Sequence, residues 1–283
     1  MVVRYFPARP NHGFDSSVNP NWQMVPVGGT RVLFVAGSSG LVPRVRSANP
    51  RSTPLTATAA TVRGVTFLVL TGGVSAGRAW VEWVPSASFV GASTDVLEVS
   101  VKAEKSLSTA FHYVSDGRRQ VTNRRIADLN TMIDGANAIL VPQANVRLRR
   151  KSAVPLPIAK NLGRVVQYSA HLAGVPAWQH EWDDVTASAD ATADFNVFFV
   201  HEYEQTRTPL IDETRAGTIA SEKNCLLEDD IDNASETLAH ETLHLLGIDD
   251  HSPTTSHLIA SGAVRTGQVI NRDQANTINP SGT

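Results

Sequence analysis

The chain has 283 residues, of which 42% are hydrophobic and 18% are charged, and its formal net charge is -2. Such a chain is long enough to form two domains with separate cores. The near-zero net charge argues against a dedicated nucleic-acid-binding protein. The single cysteine, Cys225, excludes an intrachain disulfide and a cluster of thiolate zinc ligands. All apolar runs are too short to cross a bilayer, so we expect no membrane span.

Residues 1–23 are rich in Pro, Asn, Gly and Ser, which predicts an irregular N-terminal arm. No apolar stretch follows Arg4, and Pro10 and Asn11 come soon after it, so we see no secretory signal. We therefore expect a protein that stays in the cytoplasm, one that is exported without a cleaved leader, or one whose leader has been trimmed.

Residues 24–104 contain short β-branched runs separated by turn residues, which predicts an all-β sandwich. The predicted strands are Arg31–Val35, Thr56–Ala59, Val65–Leu70, Gly77–Trp83 and Val96–Val101. Their order resembles that of bacterial immunoglobulin-like domains. This resemblance lies in the general strand pattern and covers about eighty residues. We expect Trp80 and Trp83 to pack in or beside the core rather than to bind a ligand.

Residues 105–283 have the pattern of an α/β domain. The predicted elements are a strand at Ser108–Val114, a helix at Thr122–Leu140 capped by Thr122, and strands at Val146–Arg149 and Asn196–Val200. The last of these strands is almost entirely apolar, as expected when both faces of a sheet are covered. A loop and an edge strand over Ala216–Leu227 then precede the final helix.

The connection between Ser152 and Asp194 is longer than a simple loop should be. It contains the aromatic and ionisable residues His171, Trp178, His180, Trp182, Asp183 and Asp184. Three interpretations stay open for it: a flap on the substrate side, a loop that binds Ca²⁺, or ordinary packing of the tryptophans.

The most informative segment is His240-Glu241-Thr242-Leu243-His244. Histidines four residues apart lie on one face of a helix, where both can bind one zinc ion. Glu241 can reach a water held on that metal, which is the arrangement for metal-assisted peptide hydrolysis. Asn233 and Glu236 predict a capping box at the start of the helix, and Gly247 predicts its end.

The segment Thr237–Gly247 resembles the zinc motif of metzincin-clan endopeptidases. Asn196–Val200 likewise resembles the strand that precedes this helix in bacterial members. The resemblance covers roughly residues 106–277. It implies a zincin domain over residues 105–283 that hydrolyses a protein or peptide substrate, with His240 and His244 as zinc ligands and Glu241 as general base.

Metzincins place a third zinc ligand six residues after the second histidine, and in this chain that position is Asp250. His251 follows directly. The pattern is similar to the snapalysin-like variant HExxHxxGxxDH, in which aspartate is the third ligand, so we favour Asp250 over His251. A turn with one extra residue after Gly247 would deliver His251 instead, and both stay candidates.

Two further features follow from the resemblance. His257–Gly262 looks like the turn that places a methionine beneath the zinc, with Ile259 at the methionine position. Isoleucine can fill this volume at modest cost. The resemblance also implies that an edge strand binds the extended peptide. We place that strand at Asn224–Glu228, and its candidate substrate-binding residues are Asn224, Cys225, Leu226 and Leu227.

Two other functions stay open. The chain could be a binding or structural protein that functions through its immunoglobulin-like domain, and its zinc site would then be degenerate. The chain could also be a delivered bacterial effector or toxin, with the N-terminal half serving docking or loading. For the favoured reading we expect Zn²⁺ as cofactor, no nucleic-acid partner and a monomer.

Overall fold

The computed structural model describes residues 2–91, 93, 95–117, 120–163, 165–167, 181–204, 215–229, 233–262 and 264–283. The chain divides into two compact units. The first comprises the chain up to Lys105 together with Ile139–Val146 and Gln268–Thr283. The second comprises Ser106–Ala138 and Arg147–Gly267.

The first unit is a β-sandwich. Its strands are β1 (Arg4–Pro7), β2 (Phe14–Asp15), β3 (Asn21–Pro26), β4 (Thr30–Ala36), β5 (Val42–Ser47), β6 (Leu55–Val62), β7 (Val65–Gly72), β8 (Gly77–Val84) and β9 (Val96–Lys102). One sheet has the order β1-β4-β7-β6 and the other the order β2-β3-β9-β8-β5. β3 and β9 pair in parallel, whereas the other neighbours pair antiparallel. The predicted sandwich is thus confirmed at the level of its two sheets.

The core of the sandwich draws on both sheets, because alternate side chains of each strand point inward. Leu33 and Leu68 come from one sheet, and Trp83 and Val99 come from the other. The predicted packing role of Trp83 is confirmed, since its ring is 3% exposed within this core.

The sequence predicts an irregular arm over residues 1–23, and this prediction is wrong. β1 pairs with β4 over four residues, with Arg4 opposite Ala36, and β2 pairs with β3. β1 has a single buried side chain, Tyr5. Such a strand is too short to produce a periodic hydrophobic pattern, which explains why composition alone suggested a loop.

The second unit is built on a five-stranded sheet of order β11-β10-β13-β16-β15. The elements from Lys105 to Leu245 are β10 (Lys105–Asp116), α1 (Leu129–Ala144), β11 (Val146–Ile158), β12 (Val166–Gln167), α2 (Glu181–Thr186), β13 (Phe195–Val200), β14 (Tyr203–Glu204), β15 (Ala216–Ile219), β16 (Asn224–Glu228) and α3 (Ala234–Leu245). The part of α1 from Ile139 onward belongs to the first unit. β10, β13 and β16 run parallel, and β15 runs antiparallel to β16. β12 and β14 form a separate two-stranded sheet.

Two predictions for this unit have different outcomes. Every residue of β13 is buried, as its apolar sequence predicts for a strand inside a parallel sheet. The helix expected from Thr122 starts only at Leu129, after a 3-10 turn at Ile126–Asp128. Thr122 does not cap it, because the Thr122 hydroxyl donates to the Asp229 carboxylate.

The last helix, α4 (Arg272–Ile278), belongs to the first unit. The ammonium of Lys102 donates to the carbonyl oxygen of Ser281 at 3.1 Å and also to that of Asn279. The Asn145 side chain donates to the Lys102 carbonyl at 2.8 Å. These bonds join segments far apart in sequence, so the units differ from the predicted limits of 24–104 and 105–283.

Part of the long connection after Ser152 can be described. Trp182 on α2 is fully buried, and its indole nitrogen donates to Glu222 at 2.9 Å, as expected for a packing role. Asp184 pairs with Lys160. His171, Trp178 and His180 lie outside the described residues. Among the described helices, none has the length and apolarity that a membrane span requires.

Candidate metal centre

Helix α3 carries both histidines of the motif and the glutamate between them. Its buried face includes Leu238, Ala239 and Leu243, which fix how the helix packs. Asn233 is the N-cap residue, but its side chain makes no capping hydrogen bond. The predicted capping box is therefore wrong, and Glu236 instead forms an ion pair elsewhere in the site.

The end of α3 directs the chain back toward the histidines. Gly247 has a φ of 95°. The amide of Gly247 donates to the His244 carbonyl at 3.0 Å, and the amide of Ile248 donates to the Leu243 carbonyl at 3.1 Å. These two bonds and the left-handed glycine form a Schellman motif, which ends the helix and reverses the chain. The loop that follows brings His251 back beside the helix.

Three histidines converge at this point. The Nε2 atom of His240 lies 3.1 Å from Nε2 of His244 and 3.3 Å from Nε2 of His251. The ligand atoms of the three residues all lie within 4.8 Å of one another. A tetrahedral zinc ion with ordinary zinc–nitrogen bonds holds its ligand nitrogens about 3.3 Å apart. The donor set and its spacing therefore fit one zinc-sized ion.

The outer nitrogens of two of these rings contact backbone carbonyl groups. His240 Nδ1 lies 2.7 Å from the Leu258 oxygen, and His244 Nδ1 lies 2.7 Å from the Ile248 oxygen. A carbonyl oxygen can only accept a hydrogen bond. Taken alone, each contact favours a proton on Nδ1, which would leave the Nε2 lone pair available to a metal.

Burial keeps the triad neutral, which metal ligation requires. Burial, against the opposing hydrogen bond with Leu258 and together with the nearby charge of Arg265, lowers the pKa of His240 to about 3. Burial also lowers the pKa values of His244 and His251.

Glu241 lies within the same helix, and its side chain is almost completely buried. Burial raises the pKa of its carboxyl group to about 7, against the opposing hydrogen bond from Thr218. The Thr218 hydroxyl on β15 donates to Glu241 Oε2 at 2.6 Å. A carboxyl group with a pKa near neutrality can both accept and return a proton at working pH.

The sequence favoured Asp250 over His251 as the third ligand, whereas the geometry favours His251. His251 joins the group that could hold a metal, and Asp250 does not. Asp250 is exposed at the surface of the loop. The reason is register: the turn closed by Gly247 leads to a loop that points the side chain of His251, one position later, toward His240.

The segment with Ile259 is buried, and one of its backbone groups contacts the triad. Leu258, Ile259 and Ala260 are all buried. The Leu258 carbonyl is the group that contacts His240. Ile259 is itself 1% exposed, and its equivalence to the methionine of the resembled motif stays a prediction.

The predicted substrate strand is not an edge. β16 lies between β13 and β15, and all its residues, including Asn224, Cys225, Leu226 and Leu227, are buried. The edge is β15, with Thr218 opposite Cys225. Sequence reasoning missed Thr218 as a residue of the site. The turn that joins β15 to β16 ends at Lys223, which has a left-handed φ of 59°.

Comparisons with known proteins give limited results. No protein-family model matches the chain, and no curated protein shows significant sequence similarity. Among solved structures, the Escherichia coli adhesin FdeC is 18% identical with a TM-score of 0.25, over 38% of this chain and 32% of that one. The titin I-band fragment I67–I69 is 11% identical with a TM-score of 0.20, over 40% of this chain and 38% of that one.

A third similar structure is a chimeric titin Z1Z2 that carries a peptide from decorin, 19% identical with a TM-score of 0.17. It is matched over 37% of this chain and 100% of its own length. The chain spans about a third of the length of the adhesin structure. The two-sheet architecture of the first unit therefore rests on its own strand pairing and shared core.

Proposed function

We propose that the second unit is a zinc-dependent endopeptidase. The observation that carries this proposal is the convergence of three imidazole Nε2 atoms, 3.1 Å and 3.3 Å apart, beside a buried glutamate on the same helix. His240, His244 and His251 would hold the ion. The resemblance of Thr237–Gly247 to the metzincin motif supports the same reading.

His240, His244 and His251 would hold a zinc ion, which would supply Lewis-acid chemistry toward a water molecule and the scissile carbonyl. Glu241 accepts the proton of the attacking water and returns it to the leaving amine. Thr218 orients the Glu241 carboxylate through its 2.6 Å hydrogen bond. Leu258 and Ile248 orient two of the ligand rings through their carbonyl groups.

The substrate is proposed to be an extended peptide that adds a strand to β15. β15 is an edge of the five-stranded sheet, so among the described strands one side of its backbone has no partner. Main-chain hydrogen bonds to such an edge bind extended peptides with little dependence on sequence. Thr218 lies on β15 and contacts Glu241, which connects this edge to the proposed general base.

The test begins with the purified full chain loaded with zinc. Bound metal is measured by elemental analysis, and cleavage of a peptide library is followed by mass spectrometry. We expect one zinc per chain and cleavage of internal peptide bonds. Glu241→Gln should retain zinc and lose activity by about 10³-fold, because general acid–base catalysis contributes on this order.

Asp250→Asn is the matched control, since it neutralises an exposed carboxyl group one residue from the triad. It should keep both zinc and activity. Stoichiometric zinc without any cleavage, in wild type and control alike, would show a structural metal site rather than a peptidase.

A further inference from the structure

Arg265 lies directly behind the metal triad. Its side chain is 9% exposed, and its Nε atom forms an ion pair with Glu236 at 2.6 Å. Its Nη1 atom lies 3.2 Å from the Leu258 carbonyl oxygen and 2.8 Å from Nδ1 of His240. A buried guanidinium thus touches the outer nitrogen of a proposed zinc ligand.

Two of these contacts require opposite hydrogen-bonding roles of His240 Nδ1. His240 Nδ1 lies 2.7 Å from the Leu258 oxygen, which only accepts hydrogen bonds. The same Nδ1 lies 2.8 Å from Arg265 Nη1, which only donates. One nitrogen cannot donate to the first and accept from the second at once. The ring therefore has two competing tautomers.

The tautomers differ in their capacity to bind a metal. With the proton on Nδ1, the ring donates to Leu258, and the Nε2 lone pair faces the triad. With Nδ1 accepting from Arg265, the proton is on Nε2, and that atom has no lone pair left for a metal. His244 differs, because its Nδ1 contacts the Ile248 carbonyl, which selects the metal-binding tautomer.

We propose that Arg265 lowers the metal affinity of the triad by stabilising the His240 tautomer that cannot bind a metal. This inference rests on the proposed function in one respect, since it takes the triad as a metal centre. When a metal binds, the Nε2 proton leaves to water and Nδ1 gains one. Arg265 then keeps Leu258 and Glu236 as partners and loses His240.

The charge of Arg265 acts in the same direction. A guanidinium carries a positive charge at every working pH, so it repels a cation held on the far side of the imidazole ring. Glu236 offsets part of this charge and holds the guanidinium in place at 2.6 Å. The pair of Glu236 and Arg265 therefore regulates how tightly the centre retains its ion.

The first measurement is zinc affinity of the full chain, by competition with a chelating dye. Arg265→Met removes the donor and the charge while keeping an unbranched side chain. It should bind zinc about 10-fold tighter, within the range by which groups behind a ligand alter affinity. Arg265→Lys keeps a donor and a charge, so its affinity should stay within about 3-fold of wild type.

The second measurement is the tautomer itself, from long-range ¹H–¹⁵N spectra of the metal-free protein. We expect His240 to carry its proton on Nε2 in wild type and on Nδ1 in Arg265→Met. His244 should carry its proton on Nδ1 in both proteins. A purely structural role for Arg265 would leave the tautomer of His240 unchanged.

The outcomes separate the two proposals. Equal or weaker zinc binding by a folded Arg265→Met overturns the role of Arg265. If that variant does not fold, a wild-type spectrum with the His240 proton on Nδ1 overturns it alone. A wild-type chain that binds no zinc refutes the endopeptidase, whereas the spectrum still reports on the pairing of His240 with Arg265.

Discussion

The pKa of a buried glutamate is shifted in opposite directions in the two units. In the first unit, Glu82 on β8 accepts hydrogen bonds from Arg44 and from Arg46, the latter at 3.0 Å. Burial alone would raise the pKa of this carboxyl group, but the two arginines outweigh it and the pKa is lowered. In the second unit, burial and then the neighbouring Glu202 raise the pKa of Glu228 to about 8.

The difference lies in how each carboxylate is neutralised. Among the described residues, Glu228 forms an ion pair with Arg215, whose Nε lies 4.0 Å away, too far for a good hydrogen bond. Unneutralised buried carboxyl groups reduce stability and cluster at functional sites. Glu228 and Glu241 both belong to the unit that carries the histidine triad. We infer that Glu82 contributes to the stability of the first unit, whereas Glu228 reduces the stability of the second unit when it is ionised.

The largest effect should come from the triad, which has no counterpart among the described residues of the first unit. His251→Ala should lower zinc affinity by about 100-fold or more, since it removes one of three ligands. Asp250→Ala should change affinity by less than about 3-fold, because its carboxylate lies outside the group. Chelator competition measures both, and the reverse ranking would restore Asp250 as third ligand.

Replacing the two glutamates by glutamine tests the comparison itself. Glu82→Gln should lose about 1–3 kcal/mol of unfolding free energy, because two arginines lose a carboxylate partner. With a folded pKa near 8, above the ordinary value of 4.5, Glu228 makes the folded state bind an extra proton between those limits. Stability should therefore fall as pH rises from about 4.5 to about 8.

Glu228→Gln removes that loss, so at pH 9 it should be more stable than wild type by about 1–3 kcal/mol. Urea unfolding at pH 5 and pH 9 measures both variants. A Glu228→Gln protein that is less stable than wild type at pH 9 would break the contrast between the units.

A smaller effect is expected at Thr218. Thr218→Val keeps the shape of the side chain and removes the hydroxyl that donates to Glu241 at 2.6 Å. If the chain cleaves peptides as proposed, kcat should fall by about 10-fold with little change in KM. Thr218→Ser restores the donor and should recover most of the rate. An equal loss in both variants would point to packing instead.

The smallest effect is expected at Ile259. Ile259→Met exchanges two buried apolar side chains of similar volume, so the unfolding free energy should change by less than about 1.5 kcal/mol. Zinc affinity should change by less than about 3-fold, because neither side chain is a ligand. Chelator competition and urea unfolding check the two values, and a large gain in affinity would show that isoleucine impairs the site.

Local sequence patterns predicted several of the strands and the motif helix. β7, β8, β9 and β13 appear where alternating or continuous apolar runs place them. The His240–His244 pair follows from helical spacing alone. These features depend on neighbours within a few residues, and such neighbours can be read from one sequence.

Long-range register was the part that sequence could not supply. The choice between Asp250 and His251 depends on how the loop after Gly247 returns to the helix. The choice between β15 and β16 as the edge depends on which strand pairs with β13. The contact of Arg265 with His240 joins residues 25 positions apart, so no local sequence pattern predicts it.

The path of the chain between the units has a consequence for biosynthesis. Gln268–Thr283 completes the first unit but is translated after the second unit. Lys102 cannot reach the carbonyl groups of Asn279 and Ser281 until then. We therefore expect the sandwich, although it is translated first, to become resistant to proteases only after residues 268–283 have left the ribosome. A chain that stops at Gly267 should be digested readily within its first hundred or so residues.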